Sequence, residues 1–320
     1  MASVKSMKAL ALEGFDRPSS VTEVPAPQPE PGEVLVRVGA ASVNAYDTFV
    51  ALGMMKDFMG YEFPAVIGQD LAGTVEAVGP DVDGFQVGDR VFGTMGMKGE
   101  IHDGSFAELA TSQASALAAT PEGLDDRQAG SLGVAGTTAL SAVDAIDPGP
   151  GTTVLVVGAT GGVGTFAIQL AALRGAHVIA TVKRGDESFV EGLGAAETVD
   201  YSSDLAGAIR SRYPEGVDAL VDLVNRDPDA FGMLVGLVRG GGRAVSAVGG
   251  AGEATAIGGV TVANIGGDPA RLAPLAATIS EGRLHVAVRK TYPLADAAEA
   301  LTDFTNGHTP GKLVITMSGD

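Results

Sequence analysis

The chain has 320 residues, 45% of them hydrophobic and 19% charged, enough for two domains with buried cores and too apolar for a disordered chain. Acidic residues outnumber basic ones 39 to 21, and the net charge of −18 repels phosphate backbones and anionic lipid, so neither nucleic-acid nor membrane partners are expected. With no cysteine, disulfides, thiolate nucleophiles and cysteine-ligated zinc are excluded. Because the opening MASVKSMKALALEGF is not signal-like and no apolar run reaches the ~20 residues that span a bilayer, the expected location is cytoplasmic.

From the N-terminus to residue 123 the chain reads as β-rich. Short strand-like runs, KALAL, GEVLVRVGAASV, DLAGTVEAVG, DRVFG and SFAELAT, are separated by Gly, Pro and Asp. The Pro-rich EVPAPQPEPG reads as an extended connector. From residue 124 β-branched runs alternate with amphipathic segments: TVLVV, HVIATV, ETVD, VDALVDLV, GRAVSAV and VTVANI predict strands. VGTFAIQLAALR, the segment from Glu187 to Leu193, DLAGAIRSRY, PDAFGMLVGLVR and PARLAPLAATISEG predict helices. Six strands with helical crossovers predict a doubly wound parallel sheet over residues 124–285. The tail, with HVAVRKTY, a helix over Leu294 to Phe304 and KLVITM, returns to the earlier style, so residues 286–320 are expected to complete the domain begun by residues 1–123.

Residues 154 to 164, VLVVGATGGVG, carry the most chemistry. A buried-strand pattern runs into Gly158, Gly161 and Gly164 at three-residue spacing, and Val163, Phe166, Leu170 and Leu173 then fall on one face of a helix closed by Gly175. Bare backbone at Gly161 and Gly162 lets a pyrophosphate approach the N–H groups that begin the helix, where the peptide dipoles favour an anion; Gly164 lets helix and strand pack closely. The plainer alternative is a glycine turn needed only for packing.

An NAD-binding unit places a carboxylate on the ribose 2′-hydroxyl at the end of the second strand. Lys183 and Arg184 stand there instead, and two cations suit the 2′-phosphate of NADPH, with the guanidinium offering a fork matched to phosphate oxygens. A solvated surface pair is the competing reading.

Taken together, VNAYDTF (43–49), FPAVIGQDLAGTVEAVG (63–79), VGDRVFG (87–93), GSFAELA (104–110), GTTAL (136–140), GATGGVG (158–164), EGLGA (191–195) and GKLV (311–314) resemble the medium-chain dehydrogenase/reductase superfamily, and within it the zinc-free quinone oxidoreductase branch. The resemblance covers nearly the whole chain. It implies an α/β fold with a GroES-like β-rich catalytic domain (1–123, completed by 286–320), a Rossmann NADPH-binding domain (124–285), and commonly a homodimer.

Zinc alcohol dehydrogenases of that superfamily carry Gly-His-Glu where this chain has Gly68-Gln69-Asp70. Gln69 is a poor zinc ligand, and His102, His177, His285 and His308 lack ligand-like spacing, so no metal site is expected. Without a Lewis acid to stabilise an alkoxide, the coherent acceptor is a conjugated quinone or enone that spreads incoming charge through its own π system.

The resemblance also implies site residues. Asn44 would face the nicotinamide ribose and substrate, and Asp47 takes the motif's acidic position. Tyr46, where a small residue is usual, could donate to the substrate oxygen, or it could be a packed core tyrosine. Phe49 replaces a usual tyrosine and reads as pocket wall. MMKDFMG, with Met54, Met55, Phe58 and Met59, reads as an adaptable lid or as core. For the cofactor, the turn residues Gly158, Thr160, Gly161, Gly162, Val163 and Gly164 would be joined by Thr137, Tyr201, Val248, Gly249 and Lys312, while Asn225 is left without a role. The expected function is an NADPH-dependent, zinc-independent reductase of quinones or α,β-unsaturated carbonyl compounds; the rival is an NADPH-binding regulatory or scaffold protein with little turnover.

Overall fold

The computed structural model describes residues 6–96, 99–307 and 309–317, so His308 lies outside the described residues. The chain divides into two compact units: residues 1–134, 269–280 and 286–320 form the first, residues 135–268 and 281–285 the second.

In the first unit, β1 (Ser6–Leu12) pairs antiparallel with β2 (Ser20–Pro25). The Pro-rich connector thus gives its first three residues to a strand, because Val24 stands opposite Met7 with both buried. β3 (Glu33–Ser42) leads into helix α1 (Ala45–Ala51), followed by the short β4 (Gly60–Tyr61) and by β5 (Ala65–Val66), which joins the other edge of β1. β6 (Asp70–Val78), β7 (Arg90–Thr94), β8 (Glu100–Ile101), β9 (Leu109–Gln113) and β10 (Leu117–Ala119) complete this portion. SFAELAT is strand only from Leu109 onward. Phe106 instead plugs the core, its backbone bridging to Leu10 and Ile67. Helix α2 (Asp126–Ala129) packs on β3 and β6, which carries the first unit past the change of texture at residue 124.

Helix α3 (Gly133–Ile146) leads to the second unit, whose strands are β11 (Thr153–Val157), β12 (His177–Val182), β13 (Glu197–Asp200), β14 (Val217–Asp222), β15 (Val238–Ser246), β16 (Ala256–Ile257) and β17 (Val260–Asn264). Their order is β13-β12-β11-β14-β15-β17-β16, parallel throughout except for β16. This is the predicted doubly wound sheet, with the order reversing between β11 and β14. The crossover helices are α4 (Gly162–Leu173), α5 (Glu187–Glu191), α6 (Leu205–Arg212) and α7 (Pro228–Val235). The helix predicted through Arg239 stops at Val235, because Gly236 caps it and Val238 pairs with Val217.

Helix α8 (Leu272–Ser280) packs on β10 and belongs to the first unit. The tail supplies β18 (Val288–Pro293), α9 (Ala297–Asn306) and β19 (Lys312–Thr316). Strand β19 inserts between β3 and β18, giving the first unit a sheet of order β10-β7-β6-β3-β19-β18, with β9 also on β3. Leu10, Val36, Leu71, Phe106, Leu313 and Ile315 make the centre of its core, so the last strand is a structural member of the first domain.

Candidate active site

In the second unit β11 stops at Val157 and Gly158 turns the chain at φ +83, where a Cβ would stand 2.8 Å from Val224 Cγ2. The Gly158 N–H is held by Thr181 Oγ1 at 3.2 Å. A Cβ on Gly164 would lie 2.3 Å from the Gly158 carbonyl oxygen, so the helix packs directly on the turn. Gly161 differs. It caps α4 with extended backbone, no side chain covers it, and a Cβ there would come no nearer than 3.4 Å to anything. The first N–H groups of α4, on Gly162, Val163 and Gly164, have no acceptor within the helix. Packing therefore explains Gly158 and Gly164, whereas Gly161 opens a cradle of donors that fits a phosphate. Thr160 is buried beside it.

One row crosses the carboxyl ends of the strands: Val157 pairs with Asp222, Asp222 with Ser246, and Ser246 with Asn264. Asp222 and Ser246 tie down the loops beyond them, and Asn264 ties down the loop beyond Ser246. Asp222 Oδ1 accepts from the Val224 N–H at 3.0 Å and from the Asn225 side chain at 3.1 Å, while burial pushes its carboxyl above the usual range. Ser246 Oγ accepts from the N–H groups of Val248 (3.2 Å) and Gly250 (2.9 Å), which fixes the loop containing Gly249 at φ +89. Asn264 accepts from the Ala251 N–H at 3.1 Å. Asn225 thus orients Asp222. A polar residue ending each of several apolar strands was the signal for this row.

β12 ends at Val182, and Lys183 and Arg184 follow at once, both exposed. Tyr201, 46% exposed, donates its N–H to the Val182 carbonyl at 3.1 Å, so all three flank one strand end. Ser202 holds the neighbouring Asp200 carboxyl low by hydrogen bonds, and the charge of Arg184 adds to that. Thr137 is buried within α3.

In the first unit the end of β3, the start of α1, β6 and β19 converge on a buried polar cluster. Asp70 is fully buried; its Oδ1 accepts from the Val134 N–H at 2.6 Å, and its Oδ2 accepts from Ser42 Oγ at 2.5 Å and Asn44 Nδ2 at 2.9 Å. Lys312, 3% exposed, donates to Asn44 Oδ1 at 2.7 Å and to the Val43 carbonyl at 3.2 Å, and lies 3.7 Å from Asp70 Oδ2. The amino group expected to reach a cofactor is therefore turned inward, because the buried carboxylate and carbonyls around it need its donors. Burial pulls its pKa down, and Asp70 and Asp47 draw it back up.

Asn44 also differs from expectation. Its two side-chain N–H groups go to Asp70 and to the Ser42 carbonyl at 3.2 Å, so neither is left for a substrate oxygen. Asp47, fully buried, accepts the Asn44 backbone N–H at 2.7 Å and so caps α1, the helix that the Asn-x-x-Asp spacing signals. Its other oxygen is buried with no partner within hydrogen-bond distance among the described residues. Burial, with help from Asp70, pushes Asp47 up to about 8 against the pull of the Asn44 amide and Lys312. Asp47 thus caps α1 as a carboxyl whose burial favours the protonated form.

Tyr46 is placed differently. It lines a pocket of about 410 Å³, open solvent at its mouth included, together with Val50, Met59, Gln69, Glu100, Ile101 and Asp103. Among the described residues its hydroxyl reaches only a thioether, Met59 Sδ, at 3.3 Å. Burial and then the nearby Asp47 push its pKa up, keeping the phenol protonated. Phe49 does not line this pocket; Val50 does. Of the expected lid, Met55 and Met59 pack on the core, whereas Met54 and Phe58 face solvent.

A β-rich GroES-like unit and a parallel-sheet unit with a donor-lined glycine turn define a nicotinamide-dependent oxidoreductase. Residues 30–122 match the alcohol dehydrogenase GroES-like domain and residues 193–315 the zinc-binding dehydrogenase domain. The chain belongs to the quinone oxidoreductase-like branch of the medium-chain dehydrogenase/reductase superfamily. It is 30% identical over 308 residues to the chloroplast envelope quinone oxidoreductase homolog of Arabidopsis thaliana, covering 92% of each chain. It is 28% identical over 331 residues to the mitochondrial NAD(P)H oxidoreductase RTN4IP1 of Bos taurus, covering 90% of this chain and 82% of that one. The quinone oxidoreductase structure from Coxiella burnetii superposes with a TM-score of 0.86 at 28% identity, over 98% of this chain and 100% of the other.

Proposed function

We propose that the protein is a metal-independent NADPH-dependent reductase of quinones or α,β-unsaturated carbonyl compounds. The observation that carries the reading is the Tyr46 hydroxyl, which lies at a pocket of mixed polar and apolar lining and, among the described residues, has only a thioether for a partner. A bound reduced nicotinamide supplies the hydride. Tyr46 donates to the acceptor oxygen as charge builds there, and Val50, Met59 and Ile101 give a flat conjugated ring an apolar wall. The donors on Gly162, Val163 and Gly164 hold the pyrophosphate, and Lys183 and Arg184 hold the 2′-phosphate with Tyr201 beside them. Val248 and Gly249 border the nicotinamide end. Asp70, at a zinc-ligand position of related dehydrogenases, has both oxygens occupied by donors of this chain, which favours metal-free chemistry.

The test mixes the protein, NADPH and a panel of simple quinones and enones and follows the reduced-nicotinamide absorbance; turnover with either class supports the reading, and inertness across both defeats it. Tight NADPH binding without oxidation, coupled to a change in oligomeric state, would favour a regulatory role instead. The same reading makes the protein a cytoplasmic homodimer, to be checked by cell fractionation and light scattering. Among the described residues no helix is long and apolar enough to cross a membrane.

A further inference from the structure

Phe15, Tyr61 and Phe63 form a triangle of mutually touching rings, with centroids 4.9, 5.1 and 5.9 Å apart, although Phe15 stays 51% exposed and Phe63 39%. Phe15 comes from the turn between β1 and β2, the other two from the segment that leads into β5, so folding gathers them only to leave them facing water. Phe15 lies against bare Gly53, where a Cβ would stand 2.7 Å from its Cδ1, and the exposed Leu52 and Met54 flank that glycine. An apolar group of this kind, held together at the surface, marks a contact surface. Its position ties it to the Tyr46 pocket. Tyr61 donates its hydroxyl to the Val50 carbonyl at 3.1 Å, and Val50 lines the pocket. Strand β4, which holds Tyr61, pairs with β8, whose Glu100 and Ile101 line the pocket as well. The rings therefore continue the pocket wall outward.

We infer that Phe15, Tyr61 and Phe63 are a ledge for an uncharged apolar substituent of the acceptor, so that the preferred substrate is a quinone or enone carrying an alkyl or isoprenoid chain. This rests on the proposed reduction at Tyr46 and names the substrate class of that same pocket. A second copy of the chain is too large an occupant: a specific interface takes about 20 residues or more from each side, and three rings with Leu52 and Met54 fall well short. An anionic chain or lipid surface fits no better. Asp16, Asp57 and Glu62 flank the ring-bearing segments against Lys56 and Arg17, Arg17 is already engaged by Glu13, and Glu100 at the pocket adds a further negative charge.

The experiment measures kcat/KM of the full chain with NADPH and methyl-, pentyl- and decyl-substituted benzoquinones, and with enones of matched chain length, all below their micelle concentrations. Full burial of a methylene is worth about fourfold, and a ledge covers one side of the chain, so the wild type should gain about twofold per methylene. Phe15→Ser with Phe63→Ser should flatten that slope. Phe15→Leu with Phe63→Leu, which keeps apolar area, should restore most of it. The slope is the readout, because a loss of fold or of chemistry lowers every chain length alike. Thermal melts check the fold; if the double serine variant does not melt cooperatively, Phe63→Ser alone is scored by the same slope. The inference is overturned by a wild-type slope of zero, by a slope that survives loss of the rings, or by light scattering that shows a wild-type oligomer separating in the serine variant. Failure of every acceptor, short or long, would defeat the proposed reduction together with the ledge. Turnover that ignores chain length would defeat the ledge alone.

Discussion

Asp47 shows how one buried carboxyl links local capping to the pH response of the whole chain. Its pKa is about 8 in the fold against 3.8 in the exposed chain. Between those values the folded state binds the extra proton, so this group makes stability fall as pH rises, by at most about 1.4 kcal/mol per pH unit, and its effect levels off above about 8. Below about 3.8 its contribution is flat. Burial is the main cause of the shift; Asp70 adds to it, and Lys312 and the Asn44 and Gln69 amides oppose it. Urea melts at pH 5 and pH 8 should therefore differ more in wild type than in Asp47→Asn, and equal differences would remove Asp47 as the source. Tyr46→Phe should lower kcat by about 10²-fold or more with NADPH affinity unchanged, as loss of a general acid does; steady-state rates with a quinone or enone that the wild type reduces check it. Replacing Lys183 and Arg184 with neutral residues should weaken NADPH more than NADH, measured by titration, because only NADPH offers a 2′-phosphate.

The glycine turn separates what the fold needs from what a ligand needs. Gly164→Ala drives a Cβ into two backbone carbonyls that cannot move aside, with an expected loss of about 1–3 kcal/mol in a urea melt. Gly161→Ala meets nothing closer than 3.4 Å at an ordinary φ of −73, so it should leave the melt unchanged while weakening NADPH binding by covering the open donors. The parallel strands and the turn were legible in the sequence because β-branched runs and glycine spacing are local signals. The limits of the predicted helices were less so: PDAFGMLVGLVR keeps an apolar rhythm past Gly236, and only the pairing of Val238 with Val217 ends the helix. The strand that begins EVPAPQPEPG carries no local signal because its reason is Met7, far away in sequence. Most of the active-site geometry escaped for the same cause. VNAYDTF names Asn44, Tyr46 and Asp47, and the Asn-x-x-Asp spacing signals the cap, but only the approach of Asp70 and Lys312 shows that the Asn44 amide is committed inside the fold.

At the scale of the whole molecule the net charge of −18 is carried at a sequence pI near 4.5, so self-repulsion opposes compaction and added salt should raise the melting temperature at pH 7. A calorimetric series in sodium chloride checks this, and a flat response would show that the charges are already compensated locally. The order of the first sheet has a different consequence. Its central strand β3 keeps part of one edge open until β19 arrives from the far end of the chain. During synthesis the intervening parallel-sheet domain emerges whole and can close, while the amino-terminal strands wait on the ribosome with Val43, Asn44 and Asp70 lacking Lys312. The buried contacts of Lys312 with Asn44 and Asp70 thus form only after residue 312 has been made, so a chain terminated before β19 can close its parallel sheet while this polar cluster stays unfinished.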